Sequence, residues 1–569
     1  MATKFVFVTG GVVSGLGKGI TAAALGRLLK ARGLKVRNQK FDPYLNMDPG
    51  IMSPTQHGEV FITEDGAETD LDIGHYERFT DENLGKESDI TSGMVYGDTI
   101  LKERKGIFMG TTVQVVPHII NEIKEHLFNI SRQGDPDVVI TEIGGTVGDM
   151  EGLPYLEAIR QLGYQVGKEN VLYVHVTLVP FLRMAGEVKT KPTQHSVAKL
   201  LSHGIQPDVL VCRSEIPLER AVREKIALFC NVDTTCVIEN RDCESVYEIP
   251  LLFEREGFGS VVCKKLGIAQ FVQPDLSEWE NLVERYHSAA RKISIALVGK
   301  YVVLRDAYLS VTEALTHAGI VQDTEIDVRW INAEDLEHGD PDALLAGHAA
   351  IIVPGGFGPR GMEGMVRAAG YARRNSVPFL GIGLGMEMAV VEFARNVAGI
   401  QDAHSSECEN QCSPMFYLPE LQDARRPSSD GGFNSASGGG IAGATSTIDE
   451  KYMRRGAYSC DILPGSHAAA AYQALRISER HHHRWEFNKD FRPALEQFGM
   501  VFSGTDTQDG ERVDIVEIAG HPWFVGAIAH PEFKSRPNRP HPLFSALVKA
   551  AVTAAGSRAA YSLTAGRRA

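Results

Sequence analysis

The sequence predicts an α/β protein with two domains, each built on a largely parallel β-sheet. In the first half of the chain, short runs rich in β-branched residues alternate with helical patterns, which is typical of parallel sheets flanked by helices. The clearest runs are Phe5–Val8, Val138–Thr141, Val171–Val176 and Val209–Cys212. A second series of such runs begins with a new apolar strand at Ile293.

A polar stretch separates the two series. Residues 274–291 are rich in Glu, Ser and Arg and favour a linker helix. We therefore expect a first domain at residues 1–267, a linker helix at 268–292, a second domain at 293–555 and a frayed tail at 556–569.

Length and composition fit a globular protein of roughly two to four domains. The chain has 569 residues, of which 43% are hydrophobic and 23% charged, and this apolar content excludes a disordered chain. The net charge of -14 argues against a protein that coats nucleic acid. The longest apolar runs, such as Ala349–Pro354, are too short to span a membrane, and we expect no signal peptide. The 8 Cys lack CxxC spacing, which fits reduced thiols, so we expect a cytoplasmic protein.

A glycine-rich loop follows the first predicted strand and leads into a helical pattern. It spans residues 10–21 and reads GGVVSGLGKGIT. Strand, glycines, lysine and helix N-terminus in this order predict a phosphate cradle, in which backbone N–H groups and Lys18 face the anion. The loop departs from a Walker A motif, because five residues separate Gly11 from Gly17 and Gly19 replaces the Ser or Thr that contacts magnesium.

Magnesium must then take its protein ligands from elsewhere, and two carboxylates are candidates. Asp72 lies in an acidic stretch, and Glu142 directly follows the predicted strand Val138–Thr141. The carboxyl ends of parallel strands face the ligand crevice of an open α/β sheet, and magnesium prefers few carboxylates together with phosphate oxygens. The sequence therefore predicts a Mg2+ site at Asp72 and Glu142.

Several long motifs resemble the CTP synthase family. They are Gly10–Gly19, Lys40–Gly50, Ser53–Val60, Glu64–Arg78, Glu142–Glu151 and Lys189–Ser196. The resemblance covers nearly the whole chain and implies an N-terminal amidoligase, in which ATP phosphorylates O4 of UTP and ammonia displaces that phosphate at C4 to give CTP. It also implies ATP and Mg2+ as cofactors, UTP or a related pyrimidine nucleotide as substrate, and a homotetramer that can form filaments.

The resemblance assigns roles to individual residues of the first domain. It implies ATP contacts by Gly15, Leu16, Gly17, Lys18, Gly19, Ile20, Asp72, Arg241 and Asp242. Lys18 and Lys40 would neutralise the transferred phosphoryl group. It implies pyrimidine-nucleotide contacts by Ser14, Asp149, Met150, Glu151, Lys189, Thr190, Lys191, Pro192, Thr193, Gln194 and Lys225. His57 matches the residue at the mouth of the ammonia tunnel.

The second domain resembles a class I glutamine amidotransferase. That family hydrolyses glutamine with a Cys-His-Glu triad, and its nucleophile stands in a Gly-x-Cys-x-Gly elbow between strand and helix. Here residues 381–385 read GIGLG, so Gly383 occupies the position of the nucleophile, while His530 and Glu532 match the other two members. Glycine has no side chain, so no thioester can form. We therefore expect no glutaminase activity.

The glutamine pocket is partly preserved. Gly356 and Phe357 match the oxyanion loop of the family, and Glu407 and Arg454 match the groups that hold the amine and carboxylate of glutamine. Glu387 departs from the family, which has Gln at this position. These departures favour natural divergence, and an engineered Cys→Gly change stays open.

Three further segments of the second domain have alternative interpretations. The Gly/Ser-rich stretch Asp423–Thr447 is either a tolerated insertion or a lid. The three histidines at 481–483 resemble a basic strand of the family, so we expect no metal there. The cysteines of this domain stand on no elbow, so we expect none to replace the nucleophile; they are Cys408, Cys412 and Cys460.

Three functions are compatible with this sequence. The leading hypothesis is an amidoligase of CTP synthase type that uses ammonia instead of glutamine. The second is a biosynthetic paralogue that ligates a different amine or acts on another nucleotide. The third is a regulatory or filament partner of an active CTP synthase, which the complete ATP, magnesium and uridine motifs disfavour. GTP stimulates glutamine hydrolysis in the family, so we expect it to matter little as an effector here.

Overall fold

The computed structural model describes residues 2–268, 272–407, 412–418 and 453–565, with side chains as far as residue 556. The chain divides into two units. Unit 1 comprises Met1–Ile51 and Glu68–Glu284, and unit 2 comprises Met52–Ala67 and Arg285–Ala569. The segment Met52–Ala67 thus packs with unit 2, whereas we expected all of residues 1–267 in the first domain.

Unit 1 is built on a seven-stranded parallel sheet. Its strands are β1 (Lys4–Gly10), β2 (Val36–Asp42), β3 (Asp89–Thr91), β4 (Val138–Ile143), β5 (Val171–Leu178), β6 (Val209–Ser214) and β7 (Val237–Arg241). Their order across the sheet is β7-β6-β5-β1-β4-β2-β3. Strands such as β4 are buried at every position, because helices cover both faces of the sheet. The predicted fold class is confirmed here.

The α-helices of unit 1 that span at least five residues are labelled in chain order. They are α1 (Lys18–Lys30), α2 (Leu71–Thr80), α3 (Ser92–Arg104), α4 (Ile120–Arg132), α5 (Leu153–Val166), α6 (Lys191–Ser202), α7 (Arg220–Cys230), α8 (Ile249–Arg255) and α9 (Phe258–Lys265). The helix in the predicted linker, α10, spans Ser277–His287.

Unit 2 contains a nine-stranded mixed sheet. Its strands are β8 (Arg291–Gly299), β9 (Thr324–Asn332), β10 (Ala350–Val353), β11 (Phe379–Ile382), β12 (Arg454–Ile462), β13 (Arg476–His483), β14 (Met500–Asp506), β15 (Val513–Ile518) and β16 (Phe524–Ala527). They lie in the order β9-β8-β10-β11-β16-β15-β14-β12-β13. The first five of these are parallel, and the remaining four continue the sheet antiparallel.

The α-helices of unit 2 that span at least five described residues pack on both faces of this sheet. They are α11 (Leu309–Val321), α12 (Ala333–His338), α13 (Pro341–Leu345), α14 (Met362–Arg374), α15 (Leu384–Asn396), α16 (His467–Tyr472), α17 (Arg492–Gln497) and α18 (Pro542–Ala565). The tail that we expected to be frayed from residue 556 is instead helical as far as Ala565, because its many alanines favour a helix. In the described residues, no helix is both long and apolar enough to cross a membrane.

Candidate active sites

The predicted phosphate loop lies at the carboxyl end of β1 in unit 1. Gly15 and Gly17 have positive φ values of 71° and 86°, and α1 begins directly after them at Lys18. The Lys18 ammonium donates a hydrogen bond to the Gly145 carbonyl at 2.7 Å. A helix N-terminus and a lysine therefore border one loop, as the sequence predicted, and this arrangement suits an anion.

Asp72 lies against the first turn of α1. A Cβ added at Gly19 would be only 2.0 Å from Asp72 Oδ1. Glycine at position 19 therefore lets the carboxylate approach the helix where a Ser or Thr side chain would stand in a Walker A motif. The sequence shows the loss of that hydroxyl, and the structure places a carboxylate oxygen of Asp72 beside the same position.

Lys40, on β2, stands in a buried acidic cluster. Its Nζ lies 2.7 Å from Asp70 Oδ1, 2.6 Å from Asp72 Oδ2 and 3.6 Å from Asp42 Oδ1. Burial opposes the charge of Lys40, but the surrounding carboxylates raise its pKa well above the usual value. Asp42 and Asp70 were not predicted as site residues. Their positions at a strand end and at a helix N-terminus are the sequence features that could have identified them.

Glu142 adds a fourth carboxylate beside this cluster. It is opposite Lys40 in the register of β4 and β2 and accepts a 2.5 Å hydrogen bond from the Tyr76 hydroxyl. Burial raises the pKa of Asp72 to about 7; Lys40 opposes this shift, and Glu142 reinforces it. One lysine among four acids, three of them buried and Asp72 half-buried, leaves an excess of carboxyl groups over cations, which favours a divalent cation. The donors are carboxylate oxygens, so Asp72 and Glu142 fit magnesium.

In unit 2, Gly383 joins β11 to α15 in a sharp turn. Its φ of 53° and ψ of -117° are strained for any residue with a side chain. Its N–H donates to the Ala527 carbonyl at 2.8 Å, which ties the turn to the neighbouring strand β16. The strand-to-helix elbow that the sequence predicted is therefore formed, with no side chain at its tip.

His530 lies directly beside this elbow. A Cβ added at Gly383 would be 3.3 Å from His530 Nε2. On its other side, His530 Nδ1 is 2.7 Å from Glu532 Oε1. A carboxylate oxygen accepts, so Nδ1 carries the proton and Nε2 faces the elbow. An imidazole oriented by a carboxylate thus lies next to a glycine at the predicted nucleophile position.

The predicted oxyanion loop, which contains Gly356 and Phe357, is held by two charged side chains. The Gly358 N–H donates to Glu407 Oε1 at 2.5 Å. The Lys300 ammonium donates to the carbonyls of Phe357 and Gly358. Glu407, predicted to hold an amine, therefore also braces the loop.

Glu387 places a second carboxyl group in this region. It is 3% exposed, and the Ser405 hydroxyl donates to its Oε2 at 3.1 Å. Burial raises the pKa of Glu387 well above its usual value, and the charge of Glu407 raises it further. The raised pKa favours the neutral acid, which offers a hydroxyl donor where Gln would offer an amide.

Comparison with known proteins identifies both halves of the chain. Residues 4–268 match the family model described as CTP synthase N-terminus, and residues 303–550 match the model described as glutamine amidotransferase class-I. The CTP synthase of Carboxydothermus hydrogenoformans is 57% identical over 552 residues, covering 97% of this chain and 99% of that protein. The chain belongs to the CTP synthase family.

Other members of the CTP synthase family are similarly related. The CTP synthase of Ruminiclostridium cellulolyticum is 55% identical over 551 residues, covering 97% of this chain and 99% of that protein. Among solved structures, the glutaminase domain of Trypanosoma brucei CTPS with bound acivicin is 31% identical with a TM-score of 0.39, and the match covers 46% of this chain and 94% of that one.

Arg213 lies close to residues predicted to contact ATP, and the sequence did not single it out. Arg213 is near the end of β6, and its Nε donates to Asp242 Oδ1 at 3.1 Å, while its Nη1 donates to the Gly15 carbonyl at 3.3 Å. The available signal was its place at the carboxyl end of a parallel strand. Arg241, which ends β7, is exposed, and its adenine contact stays a prediction.

The pyrimidine candidates range from exposed to buried. The exposed ones are Ser14, Asp149, Met150, Glu151, Lys191 and Lys225. Thr193 is buried and its hydroxyl donates to the Leu178 carbonyl at 3.0 Å, while the Gln194 amide donates to the Thr190 hydroxyl at 3.1 Å. These bonds fix the start of α6, and the nucleotide contacts stay predictions.

The remaining glutamine-pocket candidate, Arg454, is buried between two acids. Its Nη2 lies 2.5 Å from Asp506 Oδ2 and its Nη1 lies 3.5 Å from Asp514 Oδ1. Its guanidinium also lies 4.3 Å from the centre of the Tyr458 ring. This structure therefore shows Arg454 neutralising buried carboxylates, and its contact with a ligand carboxylate stays a prediction.

The remaining residues and segments that the sequence singled out lie elsewhere in the chain. His57 ends the short helix Pro54–His57 in the part of unit 2 that precedes residue 68, and its tunnel role stays a prediction. Cys408 and Asp423–Thr447 lie outside the described residues. Cys460 is buried, and burial raises the pKa of its thiol, which disfavours it as a substitute nucleophile.

His175, below the phosphate loop, predicts a pH-dependent stability for unit 1. It is 0% exposed, and its ring nitrogens each lie 2.8 Å from a hydroxyl, Nδ1 from Thr9 and Nε2 from Ser196. Burial, followed by the charge of Lys18, lowers its pKa to about 3. A histidine with a depressed folded-state pKa contributes stability above its unfolded pKa of about 6.5 and loses it as the pH falls.

We therefore expect His175→Gln to flatten the acid side of the stability profile. Between about pH 6.5 and pH 4, the free energy of unfolding of the unchanged protein should fall more steeply than that of the variant, by up to about 1.4 kcal/mol per pH unit. Denaturant unfolding at a series of pH values measures both slopes. Parallel slopes would contradict this assignment.

Proposed function

We propose that this protein is an ATP-dependent amidoligase that converts UTP to CTP with free ammonia. The γ-phosphoryl group of ATP goes to O4 of UTP, and ammonia then attacks C4 and expels that phosphate. ATP, UTP and ammonia thus give ADP, inorganic phosphate and CTP. Family membership and the phosphate loop beside the Lys40 cluster support the ligase reaction. Gly383 at the tip of the elbow is the observation that supports ammonia as the nitrogen source.

The residues of unit 1 divide the work of phosphoryl transfer. The N-terminus of α1 and Lys18 bind phosphate oxygens. Lys40 neutralises the transferred group, and Asp72 and Glu142 hold magnesium. Magnesium, when bound, supplies further neutralisation of phosphate charge. Phosphorylation is needed because the pyrimidine carbonyl oxygen is a poor leaving group until it carries phosphate.

The residues around the Gly383 elbow support the absence of glutamine hydrolysis. His530 and Glu532 retain the geometry of a base and its orienter, but position 383 offers no atom for them to activate. Removing the nucleophile of a triad costs on the order of 10⁶ in rate in a serine enzyme. We infer that glutamine is not hydrolysed at a useful rate.

A product assay tests this proposal. Full-length protein is incubated with UTP, ATP and magnesium, with either ammonium chloride or glutamine, and CTP is measured by chromatography. We expect CTP with ammonium chloride only. CTP from glutamine, in a preparation free of other glutaminases, would refute the inactive half, and no CTP from either source would refute the ligase. Mass spectrometry of products with other amines tests the paralogue hypothesis.

GTP should have little effect on this reaction. In the family GTP stimulates glutamine hydrolysis, and an elbow without a thiol gives that stimulation nothing to act on. We expect the ammonia-driven rate to change by less than about twofold when GTP is added, which corresponds to less than about 0.4 kcal/mol. Initial rates with and without GTP measure this, and a large activation would show that GTP acts on the ligase reaction itself.

The proposed homotetramer is supported by apolar side chains exposed on unit 1. They lie on α3 and in the following loop and include Ile100, Leu101, Ile107 and Met109. Clustered exposed apolar residues mark interaction surfaces more often than scattered ones. Light scattering of the purified protein measures the molar mass of the oligomer, and Leu101→Glu should lower that mass. Leu475→Glu, at an exposed apolar position of unit 2, is the control and should leave it unchanged.

A further inference from the structure

A small cavity inside unit 2 is lined by polar groups that the proposed reaction does not use. Cys460, Glu479, His481 and Asp514 contribute to its walls, together with apolar side chains. The centre of a water-sized sphere can occupy about 10 Å³ of this cavity, which is room for one small molecule or ion.

Three hydrogen-bond acceptors belong to these walls. They are Glu479 Oε2, His481 Nε2 and Asp514 Oδ2, and in the described residues none of the three has a hydrogen-bond partner. The three residues are 5%, 0% and 2% exposed, respectively. An unsatisfied polar atom at such depth costs free energy, on the order of 1–3 kcal/mol. Three of them around one cavity indicate a ligand that donates hydrogen bonds.

The hydrogen bonds of β13 decide that His481 Nε2 is an acceptor. His483 Nδ1 is 3.0 Å from the Trp485 carbonyl, so it must donate. Burial lowers the pKa of His483 well below its usual value, so this ring is neutral and its Nε2 accepts. His481 Nδ1, at 2.9 Å from that Nε2, therefore carries a proton. Burial likewise keeps His481 neutral, which leaves a lone pair on its Nε2.

The partners of the two carboxylates leave negative charge at the cavity. Glu479 Oε1 accepts from the Tyr472 hydroxyl and from His541 Nε2, both at 2.9 Å. His541 Nδ1 accepts from the Leu543 N–H at 3.2 Å, and its Nε2 is the donor to Glu479. Burial opposes the ionisation of Glu479, but its interactions with His541 and Lys534 lower its pKa below the usual value, which favours the ionised carboxylate.

The cations nearby also have acidic partners outside the cavity. Arg454 is shared between Asp514 and Asp506. Lys534 donates to the Ser478 carbonyl at 2.6 Å and lies 3.6 Å from Glu64. The walls of the cavity therefore favour a positively charged occupant.

The chemistry of the acceptors restricts the kind of cation. Zinc would need its ligand atoms within about 2.0–2.3 Å. In the described part of the chain, the cavity groups are not among those whose ligand atoms lie within 4.8 Å of one another. Alkali and alkaline-earth ions prefer oxygen ligands, whereas one acceptor here is an imidazole nitrogen. A cation that donates N–H hydrogen bonds suits two carboxylate oxygens and a nitrogen lone pair.

We propose that this cavity binds one ammonium ion, which donates hydrogen bonds to Glu479, His481 and Asp514. The ion is of the size that the cavity admits, and its charge offsets the excess of carboxylates. Ammonium is also the nitrogen source in the proposed function, but the site stands on its own geometry. Its test contains no nucleotide, so failure here and failure of the ligase reaction are separate results.

Thermal unfolding of the full-length protein tests the site. Ammonium chloride is titrated at constant ionic strength against sodium chloride, and potassium chloride is titrated in parallel. A ligand that binds only the folded state raises Tm with saturation, and we expect a rise of about 2 °C or more for ammonium alone. Glu479→Gln and Asp514→Asn each remove a carboxylate of the cavity and should abolish the rise.

Asp461→Asn is the matched control. Asp461 is a carboxylate that neighbours Cys460 in sequence but is partly exposed and pairs with Arg476 at 2.7 Å, so this variant should keep the full response. Two variants are used so that one folding failure leaves the test intact. An equal rise with potassium, an unchanged response in both cavity variants, or no saturable response in the unchanged protein would overturn the assignment to ammonium.

Discussion

Gly383→Cys is expected to give this protein the glutamine-dependent activity that we propose it lacks. The new Cβ would lie 3.3 Å from His530 Nε2, so the thiol stands beside a base that Glu532 already orients. Because nucleophile removal costs on the order of 10⁶ in a serine triad, we expect glutamate release to rise by at least ~10³-fold. We expect less than the full factor because Glu387, whose raised pKa favours the neutral acid, offers a hydroxyl donor where Gln would offer an amide.

The measurement is glutamate release, with ammonia-driven CTP formation assayed on the same preparation. Gly383→Ala is the matched control, because it adds the same Cβ without a thiol. Both variants place a side chain at a φ of 53°, so both should lose stability by about 1–3 kcal/mol. A Cys variant that folds and uses ammonia, yet releases no more glutamate than the Ala variant, would show that the glutamine pocket itself has been lost.

Asp72→Asn is expected to abolish most of the ATP-dependent reaction while preserving the fold. The substitution removes the carboxylate that lies against the first turn of α1 and 2.6 Å from Lys40. Metal ions contribute several kcal/mol of charge stabilisation, and at about 1.4 kcal/mol per tenfold a loss of ~10²–10³ in kcat/KM follows. Initial rates over a magnesium series measure the loss, which excess magnesium should restore only in part.

The stability of this variant separates a lost ligand from a damaged fold. Burial raises the pKa of Asp72 to about 7. In the magnesium-free protein, ionising this carboxylate therefore reduces the stability of the folded state. An acid with a raised folded-state pKa contributes stability at low pH that is lost as the pH rises through about 7. A neutral amide avoids that loss, so above pH 7 the variant should unfold at an equal or higher temperature.

Glu82→Gln, which removes a partly exposed ion pair with Lys30, is the control and should keep full activity. A destabilised Asn variant would contradict the ligand role.

Much of this molecule could be predicted from its sequence because the decisive signals are local. The periodicity of β-branched residues predicts the sheet strands, and the order of strand, glycines, Lys18 and helix predicts the phosphate loop. The absence of a thiol at position 383 is also a property of one residue. The identity of Gly19 excludes a hydroxyl ligand, although it does not say which group replaces it.

Tertiary packing decided what no local pattern contains. The approach of Asp72 to Gly19, the grouping of Asp42 and Asp70 around Lys40, and the link from Arg213 to Gly15 join residues that are distant in the chain. The sequence alone determined which functional groups this protein possesses and which one it lacks. Only the fold decided which of them share a dry, low-dielectric space, and there charges interact strongly enough to set protonation, metal preference and the partner of each buried acceptor.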